Sequence, residues 1–384
     1  MKILVSAGEA SGDCYAAELV EELRRRIPGA EFFGCGGQFL RDAGLRTVIR
    51  GEDLAVVGIF EVVRHIPRIY GLFRRLVDAA IAERPALAIL TDSPDFHLRL
   101  APKLHAAGIP VIYYVAPQVW AWREGRIRLL RKFVDHLMCI FPFEEKYFRE
   151  HGVAATFVGH PLARRLSPAC SRSEFFERHG LDPGLETVAI LPGSRKGEAA
   201  RHLGPLKDAV ARLQRSRPMN FVLPASSTTG TMFFRERIEN PIVQIVEGGA
   251  QDALGHADLA LVASGTATVE AAILGTPMVV FYRLSAATWS AGKMLVNVPF
   301  HSMVNLLAGR RVVPELIQNE CRGERLAEEA LRLLNDAAGR QSMKADLAAV
   351  RESLAGSGPA VRRAADIVCE RAAAIGACQE CKSE

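Results

Sequence analysis

The chain is 384 residues long, more than one ordinary hydrophobic core accommodates, so about two domains are expected. Hydrophobic residues make up 49% and charged residues 24%, a balance that excludes an extended disordered chain. The excess of 48 Lys and Arg over 43 Asp and Glu is too mild to indicate nucleic acid, but it suits anionic phosphates or anionic lipid.

The cysteines, among them Cys14, Cys35, Cys139, Cys170 and Cys321, follow no framework spacing and read as reduced cytosolic thiols. Cys378 and Cys381 form a C-x-x-C in a polar tail with no second ligand pair, so neither zinc nor redox chemistry is expected there. No secretory leader pattern opens the chain, and no apolar run approaches the roughly 18 residues that span a bilayer. A cytoplasmic protein is the expectation.

In chain order, Lys2 to Ser6 reads as a strand that runs through the small-residue turn Gly8 to Gly12 into a helix over Asp13 to Arg26. Strands follow at Ala30 to Cys35, Leu87 to Leu90, Val111 to Val115 and His136 to Ile140. After a break at Ser167 to Ser173 the alternation restarts, with strands at Thr187 to Leu191, Asn220 to Leu223, Ile242 to Val246, Asp258 to Val262 and Met278 to Tyr282. Apolar strands alternating with helices predict parallel sheets covered on both faces. Two such doubly wound units imply a cleft, with ligands at the carboxyl ends of the strands. Glu324 to Cys369 reads as terminal helices.

Leu54 to Ile81 mixes Val56, Val57, Ile59, Phe60, Val62 and Val63 with Arg64, Arg68, Arg74 and Arg75. Pro67 and Gly71 argue against one straight helix. Apolar residues beside arginines suit an element lying in an anionic membrane surface, the competing reading being a sheet-covering helix with solvated arginines.

Five loops follow strands and are candidates for chemistry. Gly8-Glu-Ala-Ser-Gly-Asp13 permits close backbone approach, but it is not G-x-G-x-x-G; Glu9 suits hydroxyl groups better than phosphate. A tight turn capped by Ser11 or Asp13 explains it equally well. Asp92 and Asp95 of Thr91-Asp-Ser-Pro-Asp-Phe96 stand at a strand end, where a tuned carboxylate accepts a proton from an attacking hydroxyl. The plain alternative is a helix cap and a turn. Trp120 and Trp122 in Ala116-Pro-Gln-Val-Trp-Ala-Trp-Arg123 suit sugar faces, acyl chains or the core.

Leu191-Pro-Gly-Ser-Arg-Lys-Gly-Glu198 puts Arg195 and Lys196 at a strand end, where a guanidinium neutralises a departing diphosphate or is merely solvated. It lacks P-loop spacing. In Ala263-Ser-Gly-Thr-Ala-Thr-Val-Glu270 the hydroxyls and helix-terminal N–H groups suit pyrophosphate, and Glu270 suits a ribose diol. Together these last two loops point to a nucleotide-diphosphate site, and the missing dinucleotide fingerprint disfavours an NAD enzyme.

Gly8–Asp13, Asp92–Phe96, Val119-Trp-Ala-Trp-Arg123, Gly159-His-Pro161, Leu191–Arg195, Ser264-Gly-Thr-Ala267 with Glu270, and Asn305-Leu-Leu-Ala-Gly309 together resemble the successive signatures of the lipid-A-disaccharide synthase family. Each is short, but their common order is specific, and the resemblance covers roughly residues 1–340.

The resemblance implies an α/β fold of two Rossmann-like domains facing a cleft (GT-B type), with the C-terminal helix returning to the first domain. On that basis residues 1–167, joined by about 345–384, form an acceptor- and membrane-facing domain, and 168–344 a UDP-sugar-binding domain. It implies inverting transfer of 2,3-diacylglucosamine from UDP-2,3-diacylglucosamine to 2,3-diacylglucosamine 1-phosphate without metal or cofactor, in a Gram-negative bacterium, at the cytoplasmic surface of the inner membrane. It leaves a homodimer open.

The carried-over roles are Asp92 as base, Arg195 on the leaving diphosphate, and Ser264, Gly265, Thr266 and Ala267 on phosphates. Glu270 is carried over to ribose, Asn305 to the nucleotide, and Glu9 to sugar hydroxyls or the catalytic loop. Val57, Ile59, Phe60, Arg64, Arg68 and Trp120 face acceptor or membrane, and His160 is a supporting or turn residue. Rival readings are a UDP-sugar 2-epimerase of the same fold and an inactive UDP-binding protein at a membrane surface.

Overall fold

A computed structural model describes residues 1–54, 59–121, 124–284 and 299–380, with the backbone course alone for 59–66 and 375–380. The chain forms two compact units, Met1–Pro161 with Leu354–Glu384, and Leu162–Ser353.

In the first unit seven strands, β1 (Lys2–Ala7), β2 (Glu31–Gly36), β3 (Arg46–Arg50), β4 (Leu87–Thr91), β5 (Val111–Tyr114), β6 (His136–Cys139) and β7 (Ala155–Phe157), lie in the order β3-β2-β1-β4-β5-β6-β7. Every pairing is parallel. Residues Ile3 to Ala7 and all of β4 are buried, as strands covered by helices on both faces must be. The strand order reverses between β1 and β4, so the loops leaving these two neighbours diverge and open a crevice at their carboxyl ends.

The second unit repeats the plan. Strands β8 (Thr187–Leu191), β9 (Asn220–Ala225), β10 (Val243–Glu247), β11 (Leu259–Ala263), β12 (Met278–Tyr282) and β13 (Glu315–Ile317) run parallel in the order β10-β9-β8-β11-β12-β13. Here the order reverses between β8 and β11.

Strands β3, β7 and β13 were not anticipated. All three are edge strands: β3 starts and ends on arginine, and the other two are three residues long, too short for a periodic signal. A second correction concerns Ile59–Glu83, which is one continuous helix with Pro67 inside it. Pro67 is exposed, and Leu72, Leu76 and Ala80 form a buried stripe at i, i+4 spacing. Burying that stripe outweighs the loss of one backbone hydrogen bond.

The chain returns to the first unit at its end. Helix Ala360–Glu380 packs on helix Ala10–Arg26 with an Arg26–Asp366 ion pair, and the Arg363 guanidinium lies 5.9 Å from the centre of the Phe157 ring. The His160 N–H donates to the Leu354 carbonyl at 2.8 Å, and the buried His160 ring contacts Tyr15 and Phe141. Gly159-His-Pro161 therefore seals the seam between the two segments of this unit. Burial lowers the His160 pKa to about 4, so the ring is neutral.

Candidate active site

The two loops at the first unit's switch point converge on Asp92. Its Oδ1 accepts the Gly8 N–H at 3.2 Å and its Oδ2 the Glu9 N–H at 3.3 Å. Glu9 is the exposed residue preceding helix Ala10–Arg26 and offers that helix no side-chain cap. Asp13 does not cap it either. Its buried carboxylate accepts the N–H groups of Gly37 at 2.6 Å and Phe39 at 2.9 Å, holding the loop after β2.

Burial, with the negative charge of Glu9 as the second cause, raises the Asp92 pKa to about 7. A carboxyl so poised exchanges a proton readily near neutrality. Asp95 sits one helical turn away, mostly exposed and paired with Arg126.

Backbone geometry marks the same place, although Arg84 and Gln318 also have positive φ elsewhere in the fold. Asp92 and Ser93 are consecutive left-handed residues with φ of 54° and 41°, and Val115, at the end of β5, has φ of 63°. Each non-glycine residue in this region costs about 1–3 kcal/mol and gathers at functional sites. The Asp92 carbonyl accepts from the Tyr113 hydroxyl and from His97 Nδ1.

Trp120 has its indole N–H on Glu144 Oε1 at 3.0 Å and meets Phe143 edge-on with centroids 4.9 Å apart. It packs against the core, which favours the core alternative for this tryptophan. Burial holds the Glu144 carboxyl protonated, with a pKa of about 8. Trp122, Arg123 and Val57 lie outside the described residues, as does Cys381. Ile59, Phe60 and Arg64 lie on the long helix, where only the backbone is described, as it is for Cys378. Arg68 is exposed and pairs with Asp53.

At the second unit's switch point the loop after β8 carries Arg195, exposed at the start of helix Lys196–Ser216. The loop after β11 carries Gly265, whose φ of 155° with ψ of −160° is open essentially to glycine alone. Helix Thr266–Leu274 begins there without a side-chain cap from its N-cap residue, Gly265, so its first turn, with the N–H groups of Thr266 and Ala267, forms a positive dipole end. Glu270 lies on this helix and burial raises its pKa to about 7.

Two residues expected at the nucleotide also make bonds within the fold. The Ser264 hydroxyl donates to the His301 carbonyl at 2.6 Å and its N–H to Phe281, so its donors serve the fold. Asn305 is fully buried, and its amide donates to Val313 and Glu315 and accepts from Val312 and Val313. With every hydrogen-bonding position used, Asn305 braces the loop before β13.

Sequence reading missed two buried histidines, His97 and His202. His202 donates through Nδ1 to the Pro192 carbonyl at 2.8 Å and accepts the Arg283 N–H on Nε2 at 3.0 Å, tying the loop after β8 to the end of β12. Its signal was faint: a lone histidine at an apolar helix position.

Among the described residues, Cys170, Asp252 and His256 have potential metal-ligating atoms within 4.8 Å of one another. Asp252 Oδ1 accepts the Ala169 and Cys170 N–H groups and His256 Nε2 donates to the Cys170 carbonyl, so hydrogen bonding within the loop accounts for the cluster.

Two parallel doubly wound units, each with its signature loops at the switch point, define the GT-B fold class. Solved structures of that plan agree: UDP-GlcNAc 2-epimerase from Neisseria meningitidis matches with a TM-score of 0.69 at 14% identity, covering 96% of this chain and 100% of that one. MurG from Acinetobacter baumannii matches with a TM-score of 0.58 at 15% identity, covering 96% and 99%.

The profile of the family described as lipid-A-disaccharide synthetase spans residues 3–365. Lipid-A-disaccharide synthase of Solibacter usitatus is 61% identical over 95% of this chain and 96% of that protein. The Myxococcus xanthus protein of that name is 45% identical over 96% and 97%. The chain belongs to the lipid-A-disaccharide synthetase family of glycosyltransferases.

Proposed function

We propose that the protein moves the 2,3-diacylglucosaminyl group of UDP-2,3-diacylglucosamine to the 6-hydroxyl of 2,3-diacylglucosamine 1-phosphate. The products are the β-1,6-linked disaccharide 1-phosphate and UDP. The observation that carries the chemistry is the Asp92 carboxyl, partly buried at a switch point on the N–H groups of Gly8 and Glu9 with a pKa raised to about 7. Asp92 takes the proton of the acceptor hydroxyl. That oxygen forms a bond to the anomeric carbon as the bond to the UDP oxygen breaks on the opposite face, inverting α to β.

In this reading the first unit holds the acceptor, and Glu9 orients sugar hydroxyls. The second unit holds the nucleotide. Arg195 and the N–H groups of Gly265, Thr266 and Ala267 take the diphosphate, whose negative charge grows as the bond breaks; Glu270 takes the ribose diol. Removing one such stabilising donor costs about 10²–10³ in kcat. Ser264 and Asn305 shape this loop system from within.

We also assign the protein to the cytoplasmic face of the inner membrane. No helix among the described residues is long and apolar enough to cross a bilayer. Support comes from helix Ile59–Glu83, where Arg68, Tyr70, Arg74 and Arg75 are exposed, Tyr70 by 60%.

The test is UDP release from UDP-2,3-diacylglucosamine, with and without acceptor, in detergent without divalent metal. Acceptor-dependent release with a disaccharide product is expected. Isomerisation of UDP-GlcNAc in a parallel incubation would instead establish the epimerase, and UDP binding without turnover would establish the inactive binding protein.

A further inference from the structure

The left-handed turn at Asp92 and Ser93 is held by groups that the mechanism above does not use. The Asp92 carbonyl accepts two bonds at once, from the Tyr113 hydroxyl and from His97 Nδ1 at 2.8 Å. On the other side of its ring His97 Nε2 meets Ser6 Oγ at 2.7 Å. Ser6 lies on β1 and Tyr113 on β5, the strands that flank β4, from whose end Asp92 projects. Ser6, His97 and Tyr113 are all fully buried.

This arrangement fixes the protonation of the ring. A carbonyl oxygen only accepts, so Nδ1 carries the hydrogen, and Nε2, left bare, accepts from the Ser6 hydroxyl. Burial lowers the His97 pKa to about 4, so the neutral ring and both bonds persist at working pH. The rings of Phe96 and Tyr113 pack edge-on against it. Charged groups felt at this turn are Asp92 itself, Glu9, Asp95 and Arg126.

We propose that His97 is a positioning residue, seconded by Tyr113. By saturating the Asp92 carbonyl, the two residues lock a backbone conformation that aims the Asp92 carboxyl at the acceptor hydroxyl. The proposal rests on Asp92 being the base. Its own content is that the aim depends on a side chain that touches no substrate.

The experiment compares wild-type protein with Asp92→Asn, His97→Leu, His97→Asn and Tyr113→Phe. It measures kcat and the acid limb of the pH–rate profile, with melting temperature and UDP affinity as controls. For His97→Leu and Tyr113→Phe a loss of about 10- to 100-fold in kcat is expected, with UDP affinity unchanged and the acid limb displaced. His97→Asn, which can still offer an N–H near the Nδ1 position, is expected to recover much of the loss.

Wild-type kcat in folded His97→Leu or Tyr113→Phe would overturn the proposal. So would a loss that merely follows the folded fraction with an unchanged pH profile. Should His97→Leu not fold, Tyr113→Phe, which removes one oxygen, carries the test. The two readings fail differently: near-normal turnover in Asp92→Asn removes the base, whereas an inactive Asp92→Asn beside a fully active Tyr113→Phe and His97→Leu removes only the clamp.

Discussion

A β-carbon added to Gly12 would stand 1.6 Å from Asp92 Oδ2. The first turn of helix Ala10–Arg26 is therefore pressed directly onto the carboxyl group, and Gly8 is similarly close, its β-carbon falling 2.3 Å from Ser93 Oγ. The two glycines of the first signature loop exist for this approach. The same contact explains how Asp92 becomes shielded enough for its proton affinity to rise.

Gly12→Ala is expected to displace the carboxyl or the helix. Overpacking of this kind costs about 1–3 kcal/mol of stability. Turnover should fall by about 100-fold, because a small misplacement of a reacting group is enough. UDP affinity should stay unchanged. Wild-type kcat in Gly12→Ala would show that the contact relaxes harmlessly.

Asp92→Asn is expected to remove activity yet stabilise the fold at alkaline pH. The folded pKa of about 7 lies above the unfolded value of 3.8, so the folded state keeps a proton that the unfolded chain loses between those values. Stability from this group is present in full below about pH 4, falls as pH rises through about 7, and changes by up to about 4 kcal/mol. Denaturant titrations near pH 8 and pH 4 should show a gain for Asp92→Asn at the higher pH alone. Wild-type activity should decline as pH falls through about 7, as a base becomes protonated.

Glu270 gives a binding signature. With its pKa at about 7, it ionises as pH rises, and an ionised carboxylate holds a diol more strongly than a neutral one. Calorimetry with uridine, which carries no phosphate, should show affinity rising by about tenfold across this range. In Glu270→Gln the dependence should vanish. A pH-independent wild type would remove Glu270 from the ribose.

Asn305→Ala separates bracing from contact. Truncation leaves the half-buried N–H of Val312 and the buried N–H of Val313 without their acceptor, at about 1–3 kcal/mol for a buried unsatisfied group. The melting temperature should fall together with UDP affinity. Loss of UDP binding at an unchanged melting temperature would make Asn305 a direct nucleotide ligand.

For the membrane surface, co-sedimentation with anionic and with zwitterionic phospholipid vesicles is the measurement. Binding should require anionic lipid, weaken with salt, and fall by about 1 kcal/mol for Arg74→Ala. Equal binding to both vesicle types would leave the exposed arginines without this role.

Much of the fold was legible because buried parallel strands announce themselves. Ile3 to Ala7 and Leu259 to Ala263 are apolar nearly throughout, since both faces of each sheet are covered. Strands β3, β7 and β13 stayed hidden because β3 is bounded by arginines and the other two are three residues long, and Pro67 misled because a tertiary packing stripe overrode a local propensity.

By itself the sequence determined the alternation of elements, the signature loops at the strand ends, and the residues able to carry charge there. Those are properties of neighbouring positions. Only the tertiary structure decided which loops meet. Gly8 and Asp92 come together because β1 and β4 are adjacent where the strand order reverses, although 84 positions separate them in the chain. The same folding saturated Asn305 and the donors of Ser264, neutralised His97 and raised the Asp92 pKa. Burial and hydrogen-bond partners come from residues distant in the chain, and no local pattern of residues encodes them.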